Sequence, residues 1–271
     1  MLNLFCHGRS RRRLIGSIVF LCTAMFVACG DDDSGFATRP SDGSSLSSSS
    51  VKSSSSVVGC KTETEDNCEY GELVDNRDGQ TYKTVKIGYQ VWMAENLNFE
   101  TDNSFCYNNS AEYCEKYGRF YTWAVAMDSA GTWSTNGKDC GYGDTCSVAS
   151  TGSAPLVRGV CPEGWHLPSQ IEGNILFRVV GGSSVAGTKL KSTSGWNFNG
   201  NGTDAFGFSA LPAGIRYYSG CGNEGNYANF WSSTEYDSYG AHSMDLYYNV
   251  GSAYLNSSRK DYGFSVRCIK D

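Results

Sequence analysis

Nine cysteines follow position 29 in this 271-residue chain, and their spacing is the first chemistry it offers. Three pairs lie close in sequence: Cys60 with Cys68, Cys106 with Cys114 in CYNNSAEYC, and Cys140 with Cys146 in CGYGDTC. Cys161 and Cys268 remain as a long-range pair. Cys221 is left over: free, buried, or a sign that one pairing is wrong. Disulfide bridging and zinc binding compete for such residues. Zinc sites favour C-x-x-C spacings with histidines to complete them. No C-x-x-C occurs and the chain has 3 histidines, so bridging is the reading and no metal is expected. Groups for catalysis are sparse. His166, between Trp165 and Leu167 in GWHLPS, reads as a core histidine, and His242 falls in a strand-like run. The G-x-S-x-G and H-E-x-x-H patterns of hydrolases are absent.

Bridges need an oxidising compartment, and the N-terminus supplies an address. HGRSRRRL carries Arg9, Arg11, Arg12 and Arg13 with no acid, and the next run, LIGSIVFLCTAMFVA, is apolar. That run is shorter than the ~20 residues that cross a bilayer, and the order is that of a secretion signal. FVAC resembles a bacterial lipobox, with phenylalanine in place of leucine three residues before the cysteine. The expectation is loss of residues 1–28 and attachment of the Cys29 thiol to diacylglycerol. Asp31, Asp32 and Asp33 resist burial, and acidic runs after a lipidated cysteine resemble surface-export signals of Gram-negative lipoproteins. An outer-membrane anchor exposed at the cell surface follows as the expected location. Residues 38–58 are nearly all serine and should form a disordered tether. The expected plan is therefore signal peptide 1–28, lipidated cysteine and acidic, Ser-rich linker 29–58, and folded domain 59–271.

Loss of residues 1–28 removes four arginines and no acid, taking the formal charge from −6 to −10. An acidic chain with few lysines is a poor candidate for neutralising phosphates, so no nucleic-acid partner is expected.

The elements that must position these groups are partly visible. RDGQ is a turn between strand-like segments that include YKTVKIG and QVWMAEN. YTWAVAMDSA, residues 121–130, reads as a short helix with Trp123, Ala126 and Met127 on one face. Ser169 and Glu172 form a capping box opening a second helix, which Gly181 and Gly182 end. Between 185 and 260, Gly, Asn and Ser recur among aromatic residues, which reads as long loops crossed by short strands. In the closing YGFSVRCIK, Phe264, Val266 and Cys268 alternate with Ser265 and Arg267, the mark of a final strand facing the core. Tyrosines crowd the loop region. Tyr217, Tyr218, Tyr227, Tyr236 and Tyr239 are the candidate ligand contacts, with Tyr247, Tyr248 and Tyr254 nearby. Tyrosine offers a flat apolar ring and a hydroxyl at low entropic cost.

Several segments, in order, carry a family resemblance: DGQTYKTVKIG, QVWMAENLNF, YTWA, CPEGWHLPS, GFSALPAG, FWSSTE and DYGFSVRC. Together they resemble the Fibrobacter succinogenes major paralogous domain, from about Leu73 to Asp271. The resemblance implies an α+β fold similar to C-type lectin-like domains, with short antiparallel sheets, two helices and long loops, in secreted or lipid-anchored proteins. Gly173 stands where the family pattern has tryptophan, removing an anchor from the second helix, and Cys221 is additional to that pattern. Calcium-dependent sugar sites of lectins of this fold resemble EPN or QPD followed by WND. None is present here, so neither calcium nor a cofactor is expected. Formylglycine-generating enzymes share the broad fold class, but their oxidation needs a reactive cysteine pair, and these cysteines are assigned to bridges. The expectation is a non-catalytic, lipid-anchored binding module that recognises polysaccharide or another extracellular or envelope surface through loops between about 195 and 260. The alternative is a structural envelope lipoprotein acting through protein–protein contacts.

Overall fold

Strand-forming residues around tight turns build the start of the domain. The computed structural model describes residues 57–146 and 156–271, so the expectations for the signal, Cys29 and the linker up to residue 56 lie outside the described residues. Strands β1 (Tyr70–Val74) and β2 (Thr81–Ile87) flank the RDGQ turn, and β3 (Gln90–Met93) follows a Gly-containing turn. Strand β2 buries Tyr82, Val85 and Ile87 while Lys83 and Lys86 stay in solvent. Next come β4 (Ser104–Phe105), α1 (Ala111–Tyr117), β5 (Phe120–Thr122), α2 (Trp123–Ala126) and β6 (Trp165–His166). Helices α3 (Gln170–Val179) and α4 (Ser183–Leu190) precede β7 (Ile215–Tyr217), β8 (Gly220–Gly222), β9 (Tyr227–Glu235), β10 (Gly240–Tyr247) and β11 (Ala253–Arg259). The chain closes with β12 (Gly263–Phe264) and β13 (Ile269–Lys270).

These strands form three sheets, ordered β1-β2-β3-β13-β6, β11-β10-β9 and β4-β5-β12-β7-β8. Each of their strand pairs is antiparallel. Pairing of β13 with β3 joins the C-terminal strand to the sheet built by the first three strands. One core cluster gathers Trp123, Trp231, Phe264 and the Cys161–Cys268 bridge. A second packs Leu176, Phe177 and Leu190 of α3 and α4 on Phe230, Met244 and Leu246 of the β9–β11 meander, and a small third holds Tyr117, Phe120 and Ala213. The mixed, antiparallel α+β class is as expected.

Four details correct the sequence reading. The helix expected over 121–130 is shorter: Tyr121 lies in β5, and α2 spans Trp123–Ala126 with Trp123, Ala126 and Met127 fully buried. Four α-helices, rather than two, are present among the described residues. The region expected to hold long loops and short strands contains α4 and the three-stranded meander, whose β9 runs nine residues. The expected final strand is two short ones in different sheets, and the residues between them are buried on both sides. Arg267 is only 1 % exposed, its guanidinium 4.4 Å over the Phe208 ring and donating to Asn96 and to the Phe208 and Ser209 carbonyls. The missing tryptophan at Gly173 is compensated by close approach: a Cβ there would meet Leu255 of β11 at 3.0 Å.

The capping box at α3 is present, with Ser169 and Glu172 bonded reciprocally. It extends into an ion cluster around the buried His166, in which Asp271 is exposed. His166 Nε2 lies 2.8 Å from Glu172 Oε1 and its Nδ1 lies 2.8 Å from Asp271 Oδ1. Burial alone would lower the imidazole pKa, but the bonds to Glu172 and Asp271 outweigh it and hold it above the ordinary 6.5. Burial opposes ionisation of Glu172 as well, yet hydrogen bonds from His166 and Ser169 hold its carboxyl below 4.5. The raised histidine contributes stability that is complete below its ordinary pKa and lost as pH rises through its folded value. The depressed glutamate contributes stability present above its ordinary pKa and lost as pH falls through its folded value. The pair therefore stabilises most between pH 4.5 and 6.5. The gap in melting temperature between wild type and His166→Gln is expected to be widest there and to shrink past neutrality. A gap that does not change with pH would contradict this assignment.

Candidate functional site

The β9–β10 turn presents two of the candidate tyrosines to solvent. Asp237 Oδ1 accepts the backbone N–H groups of Tyr239 and Gly240 at 2.8 and 2.7 Å, closing the turn. Tyr236 and Tyr239 project from it, 63 % and 55 % exposed. The Cys140–Cys146 loop docks beside it. Gly143 N–H donates to Ser238 O at 2.8 Å, and Cys146 N–H donates to the Glu235 carboxylate. This places the exposed Tyr142 ring 5.2 Å from that of Tyr239. Arg259, at the end of β11, donates to the Tyr142 hydroxyl at 2.9 Å and is held flat by two bonds to Asp261.

One buried lysine joins the three segments under this surface. The Lys260 side chain is fully buried, and its Nζ donates to Glu235 Oε1 at 2.5 Å, Asp144 O at 2.8 Å and Ser238 O at 3.2 Å. The same ammonium sits 4.6 Å over the Trp123 ring. A charge removed from water must be matched by close partners, and here the partners belong to the disulfide loop and the hairpin. The exposed tyrosines consequently stand on backbone that is already fixed, so binding need not spend free energy on ordering them. Rings, hydroxyls and a guanidinium give this cap stacking surface and hydrogen-bond donors and acceptors.

The other candidate tyrosines lie elsewhere. Tyr218 is 91 % exposed at the β7–β8 turn. Tyr217 is half-buried: its ring lies 5.1 Å from Tyr262, and its hydroxyl accepts from Asn223 at 2.7 Å. Burial raises its pKa, and the nearby Tyr227 and Tyr262 add to the rise. Through Tyr262 it borders the cap, since Arg259 lies 5.8 Å over the Tyr262 ring. Tyr227 begins β9, at the far end from the hairpin, half-buried with its ring 4.9 Å from Tyr247.

Between the two ends, the meander holds a buried polar network. The Asp245 carboxylate accepts from Asn229, Ser243, Asn256 and Tyr247. Burial pushes its carboxyl above the usual carboxylate range, and these four donors oppose that rise. The network ties β9, β10 and β11 together and fixes their register.

The four disulfides follow the expected pairing: Cys60–Cys68, Cys106–Cys114, Cys140–Cys146 and Cys161–Cys268. Cys221 carries a free thiol, whose sulfur accepts the Asn108 N–H at 3.4 Å. His166 is the core residue described above. His242 packs edge-on against Tyr236 at 5.6 Å. Among the described residues no group of three or more His, Cys, Asp or Glu side chains is placed to hold a metal ion. Tyr142, Arg259 and Lys260 escaped the sequence reading. The one clue in the sequence was an aromatic residue inside a Gly-rich loop closed by two cysteines.

The model of one protein family, the Fibrobacter succinogenes major domain, matches residues 85–270. Neither a curated protein nor a solved structure matches the chain.

Proposed function

The chain belongs to the Fibrobacter succinogenes major domain family, and from that premise we propose that it is a lipid-anchored, surface-displayed module that binds polysaccharide without catalysis. The observation that carries this reading is the tyrosine cap, where Tyr142, Tyr236, Tyr239 and Arg259 stand exposed on a framework fixed by Lys260 and a disulfide. Aromatic rings stack on the apolar faces of sugars, and their hydroxyls with a guanidinium reach the polar edges. The non-catalytic reading draws support from His166, both of whose ring nitrogens are engaged by carboxylates. Further support comes from the pairing of eight cysteines, which leaves Cys221 as the free thiol among the described residues. The finer fold assignment is C-type lectin-like; the β3–β13 pairing and the Cys161–Cys268 bridge support it. The anchor rests on the Cys29 lipobox and the acidic, Ser-rich stretch that follows.

Residues 53–271 form one compact unit, suited to native electrophoresis through gels containing a β-glucan, a xylan or a galactomannan, with and without EDTA. Retardation by at least one polymer, unchanged by EDTA, is the expected result. Equal mobility in every gel would overturn the carbohydrate reading and move protein partners to the front.

A further inference from the structure

The WNFNGNG loop, far from the tyrosine cap, holds an aromatic side chain in a position that gives the fold little. Phe198 is 82 % exposed, yet its backbone sits at φ 52, ψ 41. This is the left-handed region, which is unfavourable for a bulky side chain and persists only where the surroundings impose it. Asn199 follows at φ 59. The imposition comes from both sides of the apex. Trp196 is buried, and its indole N–H donates to Ser192 Oγ at 3.1 Å and Ala210 O at 3.2 Å. Asn197 N–H donates to Gly225 O at 2.8 Å. Gly200 is pressed so closely on Tyr248 that a Cβ would meet the Tyr248 carbonyl oxygen at 2.4 Å. Clamped at 196 and 200, the loop drives the phenyl ring outward, where its neighbour is the Tyr248 ring at 5.5 Å.

The surroundings of the ring decide what it meets. Asn197, Asn199 and Asn201 are all exposed beside it in the chain. Asn197 Nδ2 is spent on Glu224 O and Asn226 Oδ1, and Asn201 Oδ1 on the Trp196 N–H, so the polar fringe of this apolar face is the Asn199 amide, Asn197 Oδ1 and Asn201 Nδ2. A hydrophobic protein partner would leave these remaining amide groups unpaired at the interface. A pyranose ring with equatorial hydroxyls fits both features, offering an apolar C–H face to the phenyl ring and hydroxyl edges to the amides. Phe198 packs beside Tyr248, just past the end of β10, whereas the tyrosine cap sits at its beginning. Eight residues of β10 at about 3.4 Å each separate the two aromatic sites by about 27 Å.

We propose that Phe198 and its flanking asparagines form a second sugar subsite, and that the ligand is a polysaccharide chain of pyranoses with equatorial hydroxyls, long enough to reach both this subsite and the tyrosine cap. The inference rests on the polysaccharide reading given above. Two weak contacts fixed on one rigid sheet reinforce each other for a polymer, and a disaccharide cannot use both.

The test compares the wild-type full chain with Phe198→Gly and Phe198→Trp, using hydroxyethyl cellulose and cellobiose as probes. Glycine relieves the left-handed strain, so F198G should melt at or above the wild-type temperature. Its affinity for the polymer should fall at least tenfold, and its preference for polymer over cellobiose should narrow. F198W keeps an aromatic face and should retain polymer binding. A fall in melting temperature for F198G would mark Phe198 as a structural prop and overturn the inference. Wild-type affinity in a stable F198G would overturn it as well, while leaving the tyrosine-cap reading standing. Absence of polymer binding by the wild-type chain would overturn both.

Discussion

Replacing Cys161 and Cys268 together by alanine is expected to destabilise the domain by roughly 4–5 kcal/mol, about twice the cost of losing the Cys60–Cys68 bridge. The difference comes from the unfolded chain. The first bridge spans 107 residues and the second 8, and the entropy that a cross-link removes grows with the loop it closes. Both long-range cysteines are 0 % exposed and sit in the same core cluster as Trp123 and Trp231. Cys161 leads into β6 and Cys268 into β13, so the bridge fastens the strand pair that closes the first sheet. A domain has only about 5–15 kcal/mol of stability in all, so the loss consumes a large part of it. Urea unfolding of the two double variants checks the order. Equal midpoints, or a larger loss for the 60–68 pair, would contradict the account.

Lys260→Met is expected to cost about 3–5 kcal/mol, the usual consequence of removing one partner of a buried ion pair. Methionine fills a similar volume over Trp123 but leaves the Glu235 carboxylate, only 7 % exposed, without its cation. The Asp144 and Ser238 carbonyls also lose their shared donor. Adding Glu235→Gln removes the stranded charge, so the double variant should recover part of the loss, a coupling visible in a double-mutant cycle. The single variant should also bind polysaccharide more weakly, because the loop that carries Tyr142 would no longer be docked to the hairpin. Strictly additive effects of the two substitutions on stability would contradict the role assigned to Lys260.

How far these features could be read in advance depended on how local their causes are. The α3 start was legible because a capping box is a four-residue pattern, and Gly181 and Gly182 mark its end. Three bridges were legible from short spacings, and the fourth from what remained. The meander was not, because its alternation is disguised: Asn229, Ser243 and Asp245 are buried polar residues, with Asp245 accepting from Asn229 across the strand pair and from Ser243 along its own strand. Helix α4 has Gly182 in place of a side-chain N-cap and Gly187 in its interior, packed against the Ser252 carbonyl, so propensity argued against it. The tyrosine cap was half legible. Tyr236 and Tyr239 lie in one turn, but Tyr142 reaches them only through contacts spanning about a hundred residues. Lys260, read alone, is an ordinary surface residue; its burial follows from oxygens 116 and 25 positions away. The Phe198 apex is another such case, since its left-handed backbone is imposed by Trp196 bonding to Ala210 and Gly200 packing on Tyr248, residues 14 and 48 positions away.

The central claim is that the preorganised tyrosine cap binds polysaccharide. The measurement that tests it most directly is the dissociation constant of the retarding polymer for wild type and for Tyr142→Ala/Tyr239→Ala. Both rings are exposed, so the double variant should unfold at nearly the wild-type temperature. Its affinity should fall at least tenfold, the loss of about 1.4 kcal/mol that two stacking contacts can supply. An unchanged dissociation constant in a folded double variant would contradict the account.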